Sequence, residues 1–139
     1  KRTRDGVVHE FRKNELLYNE HRVTVEGPVE ELILVEGAFD VMWLWQQGYR
    51  HAVALLGSSC SDTQAQRLID CVSKQGLIWI FTDGDDPGQK VAVDLLARLA
   101  PHRLVTLVEA DPGKDPCEHS AEDLERLFPQ PSTALRHAC

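Results

Sequence analysis

The sequence is short of the features that mark several common classes of protein. It has four cysteines (Cys60, Cys71, Cys117 and Cys139) that form no Cys-x-x-Cys pair, and its six histidines show no ligand spacing. A zinc site is therefore not expected. So sparse a set of cysteines also argues against a disulfide framework and favours a reducing, intracellular setting.

Long apolar runs are missing as well. No segment approaches the roughly 18 consecutive apolar residues that a membrane-spanning helix needs. Residues 1–10 contain no apolar core of a signal peptide. We therefore expect no contact with a membrane. The first residue is Lys1 rather than Met, which suggests a piece of a longer protein.

Positive charge is also scarce, with 15 basic against 22 acidic residues and a net charge of −7. Such a chain repels a polyanion and is not typical of an autonomous nucleic-acid-binding protein. Residues 1–22 have a small basic surplus, so the rest of the chain is the more acidic part. Carboxylates that hold divalent cations would let an acidic body act on nucleic acid, with a basic partner domain supplying the grip.

Four short apolar runs alternate with segments of helical pattern. The runs predict strands at residues 32–35, 52–56, 77–81 and 104–108. Helices are predicted at residues 38–47, from Ser61 or Asp62 to about Ser73, and from Asp86 to Ala100. This alternation predicts an α/β fold with a mostly parallel four-stranded central sheet flanked by helices.

The third predicted helix has a clear start signal. Asp86 is predicted as its cap, with Pro87 in the first turn and Gln89 reaching back in a capping box. Residues 1–30 lack clear periodicity and are interpreted as a basic, irregular lead-in from an upstream region. The catalytic domain is expected at 31–128, with a short helix at 120–128, and a frayed tail at 129–139.

Acidic residues follow two of the predicted strands. Glu36 ends the first strand, and Asp83 and Asp85 end the third with their side chains on the same side. Open α/β sheets bind ligands at this edge. If the two strands are neighbours, three carboxylates converge, and their repulsion favours a Mg²⁺ ion among them. Alternatively, residues 83–88 form only a polar turn with a helix cap.

Three segments in order resemble the Toprim domain, which bacterial primases, topoisomerases, small recombination-mediator proteins and some nucleases share. They are Leu34–Val41, Ala52–Gly57 and Asp83–Lys90. The resemblance covers about residues 31–118. Asp40, and the glycine and helix start after the acidic pair, are most similar to the primase branch. The resemblance implies a Toprim-type, Rossmann-like fold.

The resemblance also implies roles for acidic residues. Glu36 would act in general acid–base chemistry or help to bind metal, and Asp83 and Asp85 would hold Mg²⁺, for which Mn²⁺ can substitute. Asp40 and Asp115 would add to the metal site. Cys117 stands where the primase pattern often has a second aspartate. A full second metal site would then need Glu118 to substitute for that aspartate.

Four further residues are candidates for contact with phosphate or nucleic acid: Gly57, Ser58, Lys90 and Lys114. An ordinary strand-to-helix turn and solvated lysines are the alternatives. Among the aromatic residues, Trp79 is predicted to lie in the core, and at least one of Trp43 and Trp45 is expected to be partly exposed.

The function implied is that of an Mg²⁺-dependent nucleotidyl-transfer core of a primase-like protein. It would make primers from nucleoside triphosphates on a single-stranded DNA template during DNA replication. Flanking domains or a replicative helicase are the expected partners, the isolated chain is expected to be weak or inactive, and the bacterial cytoplasm, at the nucleoid, is the expected location.

Three alternatives stay open. The domain would otherwise be a strand-cleaving Toprim nuclease core, or a degenerate, non-catalytic module for assembly or DNA binding, to which Cys117 points. A phosphoacceptor receiver domain is disfavoured, because it normally places an acidic pair after the first strand and a single aspartate after the third.

Overall fold

The computed structural model of the chain describes residues 2–4, 7–9 and 11–128. At the amino end, β1 (Arg2–Arg4) pairs antiparallel with β2 (Val7–His9). The main sheet has four strands: β3 (Val29–Val35), β4 (Ala52–Ala54), β5 (Val72–Ile80) and β6 (Leu104–Leu107). Their order is β4-β3-β5-β6 and every neighbouring pair is parallel, which confirms the predicted sheet.

Helices connect the strands and cover both faces of the sheet. They are α1 (Glu20–Val23), α2 (Ala38–Gln46), α3 (Asp62–Cys71), α4 (Asp86–Leu99) and α5 (Ala121–Leu127). Short 3-10 helices occur at Lys13–Glu15 and Pro116–Glu118.

Alternate residues of the central strands enter two separate cores. Leu32 and Leu34 of β3 pack with residues of α3 and α4, whereas Ile33 and Val35 pack with α2 and α5. All four are buried. A strand covered on both faces needs apolar residues at every position, which is why the sequence of β3 reads as a continuous apolar run rather than an alternating one.

The boundary between α3 and β5 differs from the prediction. The helix was expected to reach about Ser73, but it ends at Cys71 and the strand begins at once with Val72. Val29 pairs with Val72 and Glu31 pairs with Leu77, so the register shifts between them. The polar residues 73–76 fall in this irregularity and carry no apolar strand pattern, so sequence alone did not show that β5 starts before them.

Part of the predicted lead-in packs on the sheet. Leu17 and Val23 are buried in the core shared with α3 and α4. Tyr18 forms an isolated antiparallel bridge with Ala54, and the Asn19 side chain donates to the Ala52 carbonyl at 3.0 Å. These contacts cover the free edge of β4. Residues 1, 5, 6, 10 and the predicted tail 129–139 lie outside the described residues.

Two further expectations are tested by burial. Trp79 is 9% exposed and lies in the core, as predicted, and Trp43 and Trp45 are both partly exposed.

Within the described ranges, no helix is long and apolar enough to cross a lipid bilayer.

Candidate metal centre

The carboxyl ends of β3 and β5 bring Glu36 beside Asp83. The two strands are neighbours, and the Phe81 amide donates to the Leu34 carbonyl at 2.8 Å just before they end. Two residues further along each chain segment, the Asp83 amide donates to Glu36 Oε2 at 2.9 Å. Glu36 is 9% exposed, so its carboxylate is held at the floor of this edge rather than in open solvent.

Three carboxylates gather above this floor. Oxygen atoms of Asp83, Asp85 and Asp115 all lie within 4.8 Å of one another. Asp83 is half-buried, whereas Asp85 and Asp115 are exposed. A group of oxygen ligands that is open on one side suits a hard divalent cation that keeps water or substrate oxygens in its remaining positions.

Gly84 lets the loop that carries Asp115 reach Asp83 and Asp85. The Gly84 amide donates to the Lys114 carbonyl at 2.9 Å, and the Gly113 amide donates to the Gly84 carbonyl at 2.7 Å. A Cβ atom at Gly84 would lie 2.3 Å from the Asp111 carbonyl oxygen. Since only glycine leaves room for this approach, Gly84 is a docking point for the loop as well as a turn between two acids.

Asp85, and not Asp86, caps α4, so the predicted cap was wrong by one residue. Asp85 Oδ1 accepts the Gly88 amide at 2.7 Å, and its backbone is extended, as an N-cap requires. Asp86 is the first helical residue and is exposed. The reason is packing at Gly88, where a Cβ would lie 2.1 Å from the Asp83 carbonyl oxygen. This close approach fixes the first turn where Asp85 can reach it.

Asp40 is buried and holds the next turn of the site in place. Its Oδ2 accepts the Gly37 amide at 3.3 Å, which satisfies a backbone donor at the start of α2. Its Oδ1 accepts the Cys117 amide at 3.0 Å. Asp40 therefore ties residues 116–118 to α2. It also places a further carboxylate near Asp83 and Asp115.

The electrostatics of the site follow from this crowding. Burial and the negative charges of Glu36, Asp115 and Asp40 raise the pKa of Asp83 to about 7. Desolvation, with Glu118 and Asp40 nearby, also raises the pKa of Asp115. Clustered carboxyl groups with raised pKa values in the absence of a cation are typical of a cation-binding site. The residues present thus fit a divalent metal ion.

Cys117 is a weaker candidate ligand than the aspartate that the primase pattern often has at this position. Burial and a hydrogen bond to Asp40 raise the pKa of its thiol to about 11, so the thiol is protonated at neutral pH. Glu118 is not a free substitute ligand, because its Oε2 already accepts the Asp115 amide at 2.8 Å. Both residues shape the Asp115 turn.

The predicted phosphate-binding residues are spread along the same edge. Gly57 and Ser58 lie in an exposed loop after β4, before the N-cap of α3 at Ser61. Lys90 is exposed on α4, and Lys114 Nζ lies 3.7 Å from Asp111 Oδ2. Lys114 is therefore part of the Asp115 loop, while the other three are separate from it in the chain.

One residue of the site was missed by sequence reasoning. The His119 side chain is fully buried, with Nδ1 3.0 Å from the Asp115 carbonyl oxygen, and Nε2 accepts the Asp111 amide at 3.1 Å. In the sequence, His119 has no histidine or cysteine at the spacing of a metal-ligand motif. Its only signal was the position of a histidine directly after the acidic turn.

Comparison with known proteins adds a family to this geometry. Residues 33–120 match a family model described as Toprim-like. DNA primases of Pseudomonas aeruginosa and Rickettsia typhi are 33% and 31% identical over 111 residues, or 76% of this chain. The DNA primase of Mycoplasma genitalium is 29% identical over 90% of the chain. The chain spans only 16%, 18% and 19% of these relatives, respectively.

Solved structures agree. A DNA primase domain from Pseudomonas aeruginosa matches with a TM-score of 0.73 and 29% identity, covering 86% of this chain and 39% of that one. The zinc-binding and RNA polymerase domains of the Aquifex aeolicus primase match at 0.68 and 33%, covering 86% and 30%. A DnaG primase catalytic domain bound to single-stranded DNA matches at 0.71 and 27%, covering 90% and 43%.

Proposed function

Because this chain belongs to the Toprim-like family and resembles the Toprim domain of bacterial DNA primases, we propose that it is the Mg²⁺-dependent nucleotidyl-transfer core of a primase-like protein. The substrates in this proposal are nucleoside triphosphates and a single-stranded DNA template. The observation that carries it is the gathering of Asp83, Asp85 and Asp115 within 4.8 Å at the carboxyl edge of a parallel sheet.

The three gathered carboxylates would hold the ion, each from a different structural support. Asp83 comes from the end of β5, Asp85 from the start of α4 and Asp115 from the docked loop. Asp85 uses Oδ1 for its cap, which leaves Oδ2 for the ion. When bound, Mg²⁺ would neutralise charge on the phosphate oxygens and the charge that develops on the attacking oxygen as its proton leaves.

Glu36 is the proposed general base. Its carboxylate is buried beside Asp83 and is oriented by the Asp83 amide at 2.9 Å. In this position it would accept the proton of the attacking 3′-hydroxyl. Asp40 would act behind it, since its oxygens are engaged by two backbone amides and its charge strengthens the hold on the cation.

The rest of the protein would supply most of the grip on nucleic acid. The chain has a net charge of −7 and spans less than a fifth of the curated relatives named above. Lys90, Lys114 and the Gly57-Ser58 loop would add local phosphate contacts. A flanking domain or a replicative helicase would bring the template, in the bacterial cytoplasm at the nucleoid, and the chain alone would be weak or inactive.

A non-catalytic Toprim module is the second candidate. It is favoured by one observation, the protonated thiol of Cys117 in place of a carboxylate at the edge of the site. Such a module would keep the fold and lose tight metal binding. A strand-cleaving core would use the same three aspartates and differ in its products.

Mn²⁺ binding to the chain tests the proposal, measured by electron paramagnetic resonance. The wild type should bind, and the double variant Asp83→Asn, Asp85→Asn should not, while keeping its fold. Asp86→Asn is the matched control, because Asp86 is an exposed neighbour outside the gathered carboxylates. Equal binding by the wild type and the double variant would overturn the site.

The second step uses the full-length protein in a primer-synthesis assay with nucleoside triphosphates and single-stranded DNA. We expect primers from the wild type and from Asp86→Asn, and none from the double variant. Cleavage of the template instead would favour the nuclease. Neither product, together with weak metal binding by the wild type, would favour the non-catalytic module.

A further inference from the structure

His119 has its ring buried in the described structure and takes part in no step of the proposed chemistry. Its side chain is fully buried, and it lies in the segment that follows Asp115. Its carbonyl accepts Trp43 Nε1 at 2.9 Å, which fixes it to α2. Its ring meets Phe81 edge-on at 5.4 Å, which fixes it to the end of β5. His119 is thus held through its carbonyl and its ring by two residues outside the Asp115 loop.

From this fixed position the ring bonds both ends of the loop. Nε2 accepts the Asp111 amide at 3.1 Å, so Nε2 carries no proton. A neutral ring then has its proton on Nδ1, which donates to the Asp115 carbonyl at 3.0 Å. One imidazole therefore closes the five-residue loop 111–115 and sets the position of the backbone from which the Asp115 carboxylate extends.

We propose that His119 is a positioning residue that sets the affinity of the site for its divalent ion by holding Asp115 in reach of Asp83 and Asp85. This inference rests on the proposed metal site. Partners that orient a metal ligand from behind typically change metal affinity about 10- to 100-fold when they are removed. A loop with its own conformational freedom would present Asp115 to the ion for only part of the time.

The alternative is that His119 only stabilises the fold, and three variants separate the two roles. His119→Phe keeps a ring against Phe81 and loses both ring hydrogen bonds. His119→Asn places an amide N–H near the position of Nδ1 and can restore the bond to Asp115. Leu99→Ala is the control for stability, because Leu99 is fully buried at the far end of α4 in the other core.

The measurement is the dissociation constant for Mn²⁺ by electron paramagnetic resonance, beside the thermal midpoint of each variant without metal. We expect His119→Phe to bind about 10-fold more weakly or worse, His119→Asn to recover most of the affinity, and Leu99→Ala to bind like the wild type despite its lower midpoint. Unchanged Mn²⁺ affinity in folded His119→Phe would overturn the inference, and so would an equal loss in Leu99→Ala.

If His119→Phe fails to fold, His119→Gln replaces it. The longer glutamine side chain reaches the Nε2 position and can bond the Asp111 amide but not the Asp115 carbonyl. We therefore expect His119→Asn to bind Mn²⁺ more tightly than His119→Gln. The reverse order would overturn the inference. Failure of the wild type to bind Mn²⁺ would overturn the proposed function itself, which is a different outcome from equal binding by wild type and His119 variants.

Discussion

At the scale of single residues, Asp83 is the group in which burial and charge act together. It is half-buried, it donates its amide to Glu36, and its carboxylate meets those of Asp85 and Asp115. Without a cation these neighbours oppose its ionisation, and its pKa rises from 3.8 to about 7. The site is therefore built at the expense of stability in the metal-free protein.

This shift has a consequence for the pH dependence of folding. Because the folded pKa of Asp83 lies above the unfolded value, the folded state binds a proton more tightly than the unfolded chain. The resulting stability is fully present below about pH 4 and is lost as the pH rises through about 7. We expect the free energy of unfolding of the metal-free protein to fall between pH 6 and pH 8 on account of this group.

Urea unfolding of the wild type and of Asp83→Asn at pH 6, 7 and 8, with a chelator present, measures this effect. The variant cannot ionise at this position, so its stability should change less over the range and should exceed that of the wild type at pH 8. A wild type and a variant with parallel pH profiles would show that Asp83 ionises without cost.

At the scale of elements, α4 depends on the same aspartate that the site uses. Asp85 caps the helix through Oδ1 and is also one of the three gathered carboxylates. Metal binding at the proposed site would therefore be coupled to the first turn of α4 through one carboxylate. The exposed Asp86 has neither contact among the described residues, although it was the more obvious cap in the sequence.

Three variants distinguish the cap from the charge. Asp85→Asn keeps an oxygen for the Gly88 amide, whereas Asp85→Ala removes it. We expect Asp85→Ala to be less stable than Asp85→Asn by about 1 kcal/mol, the usual worth of an N-cap. Asp86→Ala should lie within about 0.5 kcal/mol of the wild type, as for most surface changes. Chemical unfolding in the presence of a chelator gives all three values.

The elements were largely predictable and their junctions were not. Residues such as Leu32–Val35 show by their composition alone that they form a doubly covered strand, and the order of strands and helices followed. The cap at Asp85 depends on the contact between Gly88 and the Asp83 carbonyl, which is visible only in three dimensions. The same holds for His119, whose two ring partners come from the loop that it closes.

The site was predictable to the extent that parallel strands end at one edge. Glu36 and Asp83 meet because β3 and β5 are neighbours, as the alternation of elements allowed. Asp115 joins them through backbone contacts between its loop and Gly84, which no periodic pattern records. That an ion binds there is still a prediction, as are the roles of Glu36, Asp40, Lys90 and Lys114.

At the scale of the whole molecule, the net charge of −7 makes the chain sensitive to divalent ions. An ion bound only by the folded state stabilises it according to the ratio of its concentration to its dissociation constant, by about 2.7 kcal/mol at a hundredfold excess. Non-specific screening of the acidic surface acts too, but it depends on ionic strength rather than on the kind of ion.

Thermal unfolding separates these two effects. We expect Mg²⁺ at millimolar concentration to raise the midpoint of the wild type above the value in NaCl of matched ionic strength. The double variant Asp83→Asn, Asp85→Asn should show the same midpoint in both salts. A Mg²⁺-specific gain that persists in the double variant would place the ion elsewhere on the protein.

Neighbouring strands of the main sheet are all parallel, so none of these pairs is joined by a tight hairpin. Even β3 and β4 are separated by the whole of α2, and β3 meets β5 only after a second crossover. Segments distant in sequence must therefore meet before any of these strand pairs forms, which costs loop-closure entropy early in folding. We expect the chain to refold slowly for its length, because its sheet contacts join segments that are distant in sequence.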